Sequence, residues 1–469
     1  MEHRRLHYDP ARDGALETFL FDEGVEFPCG GTSLCGGCKV RVLAGEAPAT
    51  YEMREVLSDA EVEQGWRLAC RLAPAGPVEL EVAQWSAKIL TDESEVPFEP
   101  RAGVGAVVDI GTTTLVAQQV DLSTGEVLQV VTALNNQARH GADLMSRVEF
   151  ELRNPDLLRE LITAQVGEML RGMGPLKEVL AVGNTVMHHL YCGLDVRPLA
   201  AVPFRSENLG LQQAGRVTFL PCSGGFVGSD LLAGLVATGL LESEERGALL
   251  DLGTNGEIAV GNRDGIVCAS TAAGPAFEGG KIRQGMRAGH GAIDRVERHE
   301  EGVRCHVIGG EQARGLCGSG LVDAVAAALE LGWIGRGGRL ANGLASLELT
   351  EAVALVQSDV RELQLAKGAI AAGLRLLMGE RTIRPDRVFL AGAFGNYIRA
   401  ESARRIGLLP EWATAPVAAG NTALRGARML LLAPSRREAI LQRMATIVRH
   451  VELASDELFQ ETFVESMGF

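Results

Sequence analysis

The stretch VVDIGTTTLVAQQ at residues 107–119 returns as ALLDLGTNGEIAVG at residues 248–261. Each copy runs an apolar, strand-like segment into an aspartate, turns on a glycine two positions later, and continues as a second strand-like segment. Such a repeat marks an internal duplication, one half opening at Asp109 and the other at Asp251. A carboxylate at the end of a buried strand can hold Mg2+, directly or through water. Gly111 lets the backbone turn, so that successive N–H groups and the hydroxyls of Thr112, Thr113 and Thr114 can meet phosphate oxygens. One such turn is an ordinary hairpin. Two of them, the second with Gly253, Thr254 and Asn255, can face each other across a cleft and clamp a nucleoside triphosphate. A third element, AGAFGN at residues 391–396, is a glycine-rich turn after a strand. There the backbone at Gly392, Ala393, Gly395 and Asn396 can lie close to a flat adenine or a ribose.

Toward the N-terminus, PCGGTSLCGGCKV carries Cys29, Cys35 and Cys38, and RLAC supplies Cys70. The pattern C-x5-C-x2-C with a distant fourth cysteine is the plant-type [2Fe–2S] spacing widened by one residue in its first gap. Gly30, Gly31, Gly36 and Gly37 suit a loop folded tightly round a cluster. A structural zinc site pairs two short cysteine hairpins, which this arrangement does not supply. The other five cysteines are scattered in apolar or glycine-rich settings, as in a reducing cytoplasm, which is the expected location.

A chain of 469 residues is long enough for two or three domains with buried cores. Its net charge of −15 argues against nucleic acid or an anionic membrane as partner. MEHRRLHYDP lacks the apolar core of a signal peptide, and no apolar run is long enough to span a bilayer.

Residues 1–85 read as a small, strand-rich unit. The strand candidates are ALETFLF, CKVRVLAG, WRLACRL and PVELEVA, with a capped helical turn at SDAEVEQG. Its size and cluster loop predict a β-grasp ferredoxin domain. Residues 86–102 mix charge with two prolines and read as a linker. Residues 103–469 turn to α/β, with the second half opening near 247. Helices are expected around ADLMSRVEFEL, PDLLRELITAQVGEMLRGM, GLVDAVAAALEL and VRELQLAKGAIAAGLRLLM.

The two hairpins and the glycine-rich turn, in that order, resemble the phosphate and adenosine motifs of the acetate kinase, sugar kinase, Hsc70 and actin superfamily. That resemblance implies an ATPase core of two ribonuclease-H-like halves closing over ATP and Mg2+. The fusion of a [2Fe–2S] domain with such a core is similar, more narrowly, to the reductive activators of corrinoid proteins. GADLMSRV, VGNTVMHHLYCGLD, GGFVGSDLLAGLVATGL, DLGTNGEIAV, GMRAGHGAID, LCGSGLVDA, LAKGAIAAGL, LAGAFGNY and RIGLLP carry this likeness through the core. It implies a chain that passes an electron from its cluster to the cob(II)alamin of a methyltransferase system's corrinoid protein, regenerating cob(I)alamin. It also implies an upstream electron donor, and it allows a homodimer. The chain departs from longer members in having only a short linker between its ferredoxin and ATPase parts.

Some residues keep two readings. Asp109 and Asp251 would flank the metal, and Glu257 either orients the attacking water or a metal-bound water, or is a charge on a solvent-exposed strand face. His188 and His189 either touch a partner or nucleotide or are structural; Asp230 either reaches the cleft or opens a helix. Cys317 is read as buried packing. Three other functions compete: an ATPase-coupled electron donor to another low-potential metalloenzyme, a small-molecule kinase with a ferredoxin module, and a nucleotide-switched binding protein with negligible turnover.

Overall fold

The computed structural model describes residues 4–23, 25, 27, 38–82, 91–141, 143–310, 312–379 and 384–469. Strands β1 (Arg4–Tyr8), β2 (Lys39–Ala44), β3 (Trp66–Leu68) and β4 (Val78–Val82) form an antiparallel sheet in the order β1-β4-β2-β3. Leu20, Val40, Met53, Leu68 and Leu80 are fully buried in its core. ALETFLF, expected as a strand, is instead the helix Leu16–Asp22. Leu16 and Leu20 stand four residues apart and both go into that core, which is helical spacing. SDAEVEQG behaves as expected: Ser58 caps the helix Asp59–Glu63 in a capping box with Glu61.

The core holds two six-stranded sheets. In the first are β5 (Val104–Ile110), β6 (Thr114–Asp121), β7 (Val127–Leu134), β8 (Glu178–Val182), β9 (Gln212–Ala214) and β10 (Val217–Phe219), ordered β7-β6-β5-β8-β10-β9. In the second are β11 (Gly247–Leu252), β12 (Gly256–Asn262) and β13 (Gly265–Thr271). A satellite sheet (β14, Ala292–His299; β15, Gly302–Val307; β16, Gly315–Leu316) and a hairpin (β17, Ser346–Glu348; β18, Ala354–Val356) follow in the chain. Then β19 (Arg387–Ala391), β20 (Val417–Gly420) and β21 (Val448–His450) complete the order β20-β19-β11-β12-β13-β21. Without the edge strands β9 and β21, the halves have the same plan. Three antiparallel strands (β5-β6-β7 or β11-β12-β13) are extended by two parallel ones (β8 and β10, or β19 and β20). The duplication read from the two hairpins is therefore a duplication of topology.

The helices Ser229–Thr238 and Thr422–Leu432 pack between the two sheets. Val107 and Leu180 of the first sheet and Leu249 and Ala259 of the second share one core with Ala427 and Leu430. Gly426 permits this: a Cβ there would lie 1.9 Å from the Ala233 carbonyl oxygen. Residues 91–102 have no regular secondary structure yet are fastened to the core. The buried Asp92 carboxylate pairs with Arg428 at 3.1 Å and Arg425 at 3.5 Å, and Arg101 pairs with Glu178 at 2.6 Å. The rest of the expected linker, 86–90, lies outside the described residues.

The ferredoxin-like unit sits beside the first hairpin. Leu134 and Ala138 pack against its core, and the Arg139 guanidinium lies 4.7 Å from the centre of the Phe21 ring. Among the described residues no helix is long and apolar enough to cross a membrane.

Candidate nucleotide cleft and cluster site

Asp109 is the penultimate residue of β5 and Asp251 the penultimate residue of β11, so the duplication sets them at equivalent places. They line one cleft of about 260 Å³, together with Gly111, Thr112, Thr113 and Thr114 of the first hairpin and Gly253, Thr254 and Asn255 of the second. The hairpins meet directly: the hydroxyls of Thr113 and Thr254 are 3.4 Å apart, and Thr254 donates to Glu278 at 2.8 Å. Gly111 donates its N–H to Thr114 O at 3.0 Å, closing the first turn. Of the third motif, Gly392 lines the cleft, whereas Gly395 and Asn396 are not among its lining residues. The side chain of Ala393 lies outside those described. The expected turn is a short helix, Gly392–Gly395. At Gly392, φ is +80°, and a Cβ would meet Asp251 Oδ1 at 2.8 Å, so glycine lets this strand end close over the carboxylate.

Five carboxylates line the cleft: Asp109, Asp230, Asp251 and Glu257, with Glu278 bound to the Thr254 hydroxyl. Glu257 pairs in register with Asp251 across β11 and β12 and is buried, which removes the solvent-exposed reading. Asp230, second residue of its helix, also reaches the cleft. Burial pushes the Asp109 carboxyl up to about 6, against the pull of a 3.1 Å hydrogen bond from the Asn421 amide. Burial, and then the Asp109 charge, pushes Asp251 up to about 7. Burial raises Asp230 and Glu257 as well. The Asp109 and Asp251 charges add to it at Asp230, and those of Asp230 and Asp251 at Glu257.

Carboxylates so crowded call for a cation. Among the described residues, however, no three His, Cys, Asp or Glu side chains converge closely enough to ligate a metal on their own. Mg2+ is commonly held by one or two carboxylates, waters and substrate phosphates, and Asp109 and Asp251 place two carboxylates at the cleft.

Two residues that the sequence did not flag help to shape the site. Asn421 reaches Asp109 from the N-cap of the helix Thr422–Leu432, across the two halves. Asn184 caps the helix Thr185–Cys192 and donates to the Thr112 hydroxyl at 3.1 Å. Both Asn residues stand directly before helical segments, which is the sequence signal for a cap but not for a site. His188 and His189 are not among the residues lining the cleft. His189 Nδ1 is 2.8 Å from Thr185 O and its Nε2 is 2.7 Å from Ser206 Oγ, and His188 stands edge-on to Phe219, which is structural packing. Cys317 lines the cleft but is buried, and burial pushes its thiol up, so it is no nucleophile.

At the cluster site, Cys38 is buried and Cys70 half-buried. The Ala69 N–H donates to Cys38 O at 2.9 Å, which joins the two cysteine segments. Cys29 and Cys35 lie outside the described residues. The burial of Cys38 and the partial burial of Cys70 suit a cluster sheltered from water.

Comparison with known proteins places each part. The 2Fe-2S iron-sulfur cluster binding domain matches residues 4–75, the RACo middle region residues 104–243, and the C-terminal domain of RACo, the ASKHA domain, residues 245–469. The matched middle region thus falls on the first half of the core. The chain is 34% identical over 435 residues to "Corrinoid activation enzyme RamQ" of Eubacterium limosum, covering 81% of this chain and 72% of that one. It is 29% identical over 417 residues to the "[Co(II) methylated amine-specific corrinoid protein] reductase" of Methanosarcina barkeri, covering 78% and 77%. A solved "Reductive activator for corrinoid,iron-sulfur protein" superimposes with a TM-score of 0.70 at 26% identity, covering 97% of this chain and 96% of that one.

Proposed function

Because this chain belongs to the family of reductive activators of corrinoid proteins, we propose that it hydrolyses ATP in the two-hairpin cleft and uses the cycle to deliver one electron from its ferredoxin-like unit to the cob(II)alamin of a corrinoid protein. The observation that carries the proposal is the seating of the ferredoxin-like unit on the segment that follows the first hairpin, through Leu134, Ala138 and Arg139. Electron carrier and nucleotide cleft are thereby adjacent. The partner is the corrinoid protein of a methyltransferase system, and an upstream donor reloads the ferredoxin-like unit.

Each group has a role on this reading. Asp109 and Asp251 would hold Mg2+, which would supply charge neutralisation for the nucleotide's phosphates. The backbone at Gly111–Thr114 and Gly253–Asn255 binds the phosphates, and the Gly392 turn lies against the adenosine. Asp230 and Glu257 compete for the base that orients the attacking water, since a carboxyl raised toward neutrality suits proton transfer. Cys29, Cys35, Cys38 and Cys70 would hold the [2Fe–2S] cluster, which would supply one-electron reduction at around −400 mV.

Reducing cob(II)alamin is harder than that potential allows. Each 100 mV of deficit corresponds to about 2.3 kcal/mol. Nucleotide binding would help only by its different affinity for two states of the complex. Hydrolysis then makes the cycle directional.

Magnesium-dependent ATP turnover, measured with and without corrinoid protein for Asp230→Asn and Glu257→Gln, tests the site. The variant that keeps ATP binding and loses turnover identifies the base. Full turnover in both would remove Asp230 and Glu257 as candidates for the base.

A further inference from the structure

Arg147 is fully buried, in the helix Leu144–Arg153, directly behind the first hairpin. It donates through Nη2 to the Thr112 carbonyl, through Nε to Gly141 O at 2.9 Å, and through Nη1 to Gln137 Oε1 at 3.3 Å; the Met187 sulfur is 3.6 Å from Nη1. All four partners are neutral. Among the described residues no carboxylate lies within ion-pair distance. Asp143 acts on it only through space, from the exposed cap of the same helix, and Glu278 and Arg287 share a small cavity of about 50 Å³ with it. Burial pushes its guanidinium down to about 9, still charged at neutral pH.

An unpaired buried guanidinium is costly, and such charges are ordinarily paired. This one is fastened to the backbone of a turn whose other side faces the cleft. We propose that Arg147 is a positioning residue for the nucleotide, fixing the Thr112 peptide so that the turn presents its donors to the phosphates and supplying from behind the hairpin a positive charge that the polyphosphate balances. The inference rests on the nucleotide reading of the cleft and extends it to a residue outside the cleft wall.

The same neighbourhood links the turn to the ferredoxin-like unit. Asn135 donates to Gly111 O at 2.9 Å and, through its backbone N–H, to Thr113 O at 2.9 Å, and Gln137 belongs to the short helical turn Asn136–Arg139 that carries Ala138 and Arg139. Arg147 therefore stands between the phosphate turn and the surface on which the electron carrier sits.

The test measures Mg·ATP and Mg·ADP affinities of the full chain, with folding checked by the cluster spectrum and thermal unfolding. Arg147→Gln keeps a hydrogen-bond donor but loses the charge, and Arg147→Lys keeps the charge. The Gln variant should bind ATP about ten- to hundredfold more weakly, the range for one hydrogen bond to a charged group, with a smaller loss for ADP. The Lys variant should recover much of that loss. Equal losses for Gln and Lys, or equal losses for ATP and ADP, would overturn the proposal. Should both variants fail to fold, Gln137→Glu decides, because it leaves Arg147 in place and gives it a carboxylate partner. It should weaken ATP binding with the same ATP-over-ADP bias, and wild-type affinity would overturn the proposal. Loss of ATP binding by the unmodified chain would instead overturn the nucleotide reading, and this proposal with it.

Discussion

Replacing Asp251 with Asn should make the nucleotide-free chain more stable while abolishing ATP turnover. The Asp251 carboxyl is pushed from 3.8 up to about 7, first by burial and then by the Asp109 charge. One pKa unit corresponds to about 1.4 kcal/mol, so charging this group in the folded chain costs at most roughly 4 kcal/mol. Water reaching the cleft reduces that to about 1–3 kcal/mol. The sign follows from proton binding. Between about pH 4 and pH 7 the folded chain keeps a proton that the unfolded chain has lost, so stability falls as pH rises through this window and then levels. Asn cannot ionise. The gap between variant and wild type should therefore open from about pH 4 to pH 7 and stay constant above it. Chemical unfolding in the presence of a chelator, at several pH values, reads this gap. Mg2+ with ADP should shrink it, because the metal relieves the carboxylate in the wild type alone. A gap that does not vary with pH, or a variant less stable than wild type at about pH 8, would refute the reasoning.

Other predictions concern separate parts of the chain. Cys38→Ser should abolish the [2Fe–2S] visible spectrum and leave ATP binding unchanged; an unchanged spectrum would remove the cluster assignment. Asn421→Ala removes the hydrogen bond that holds the Asp109 carboxyl down, so the acidic limb of the ATPase pH profile should move to higher pH. A profile that stays in place would mean that Asp109 does not limit activity in that range. Asp92→Asn leaves the buried Arg428 unpaired and should destabilise the core by about 3 kcal/mol in denaturant unfolding. Its combination with Arg428→Met should recover part of that loss, and strict additivity would show the pair to be uncoupled.

The half-by-half plan was legible because the Asp-x-Gly-Thr turn is local: the residues that end the strand, turn the backbone and point at the cleft are neighbours in sequence. Asp109 and Asp251 could therefore be placed together before any topology was known. Asp230 and Asn421 could not. Each stands at the start of a helix that packs between the two sheets, where the bland reading is a helix terminus or cap. Only the crossing of those helices brings them to Asp109. Arg147 was hidden more completely, as one arginine in an amphipathic helix. Glu257 keeps two readings because β12 has polar and apolar residues that do not betray which face is sealed; its pairing with Asp251 and its burial remove the solvent-exposed one. The helix Leu16–Asp22 is a short apolar run, for which strand and helix periods differ by too few residues to separate.

The most direct measurement of the central claim is the visible spectrum of a purified cob(II)alamin-bound corrinoid protein, mixed anaerobically with this chain, a reductant and ATP. The account predicts that the cob(I)alamin band appears when ATP is present and stays absent when it is omitted or when Asp251→Asn is used. Equal formation of the band without ATP would contradict it. So would its absence with every corrinoid partner tried, despite an intact cluster spectrum.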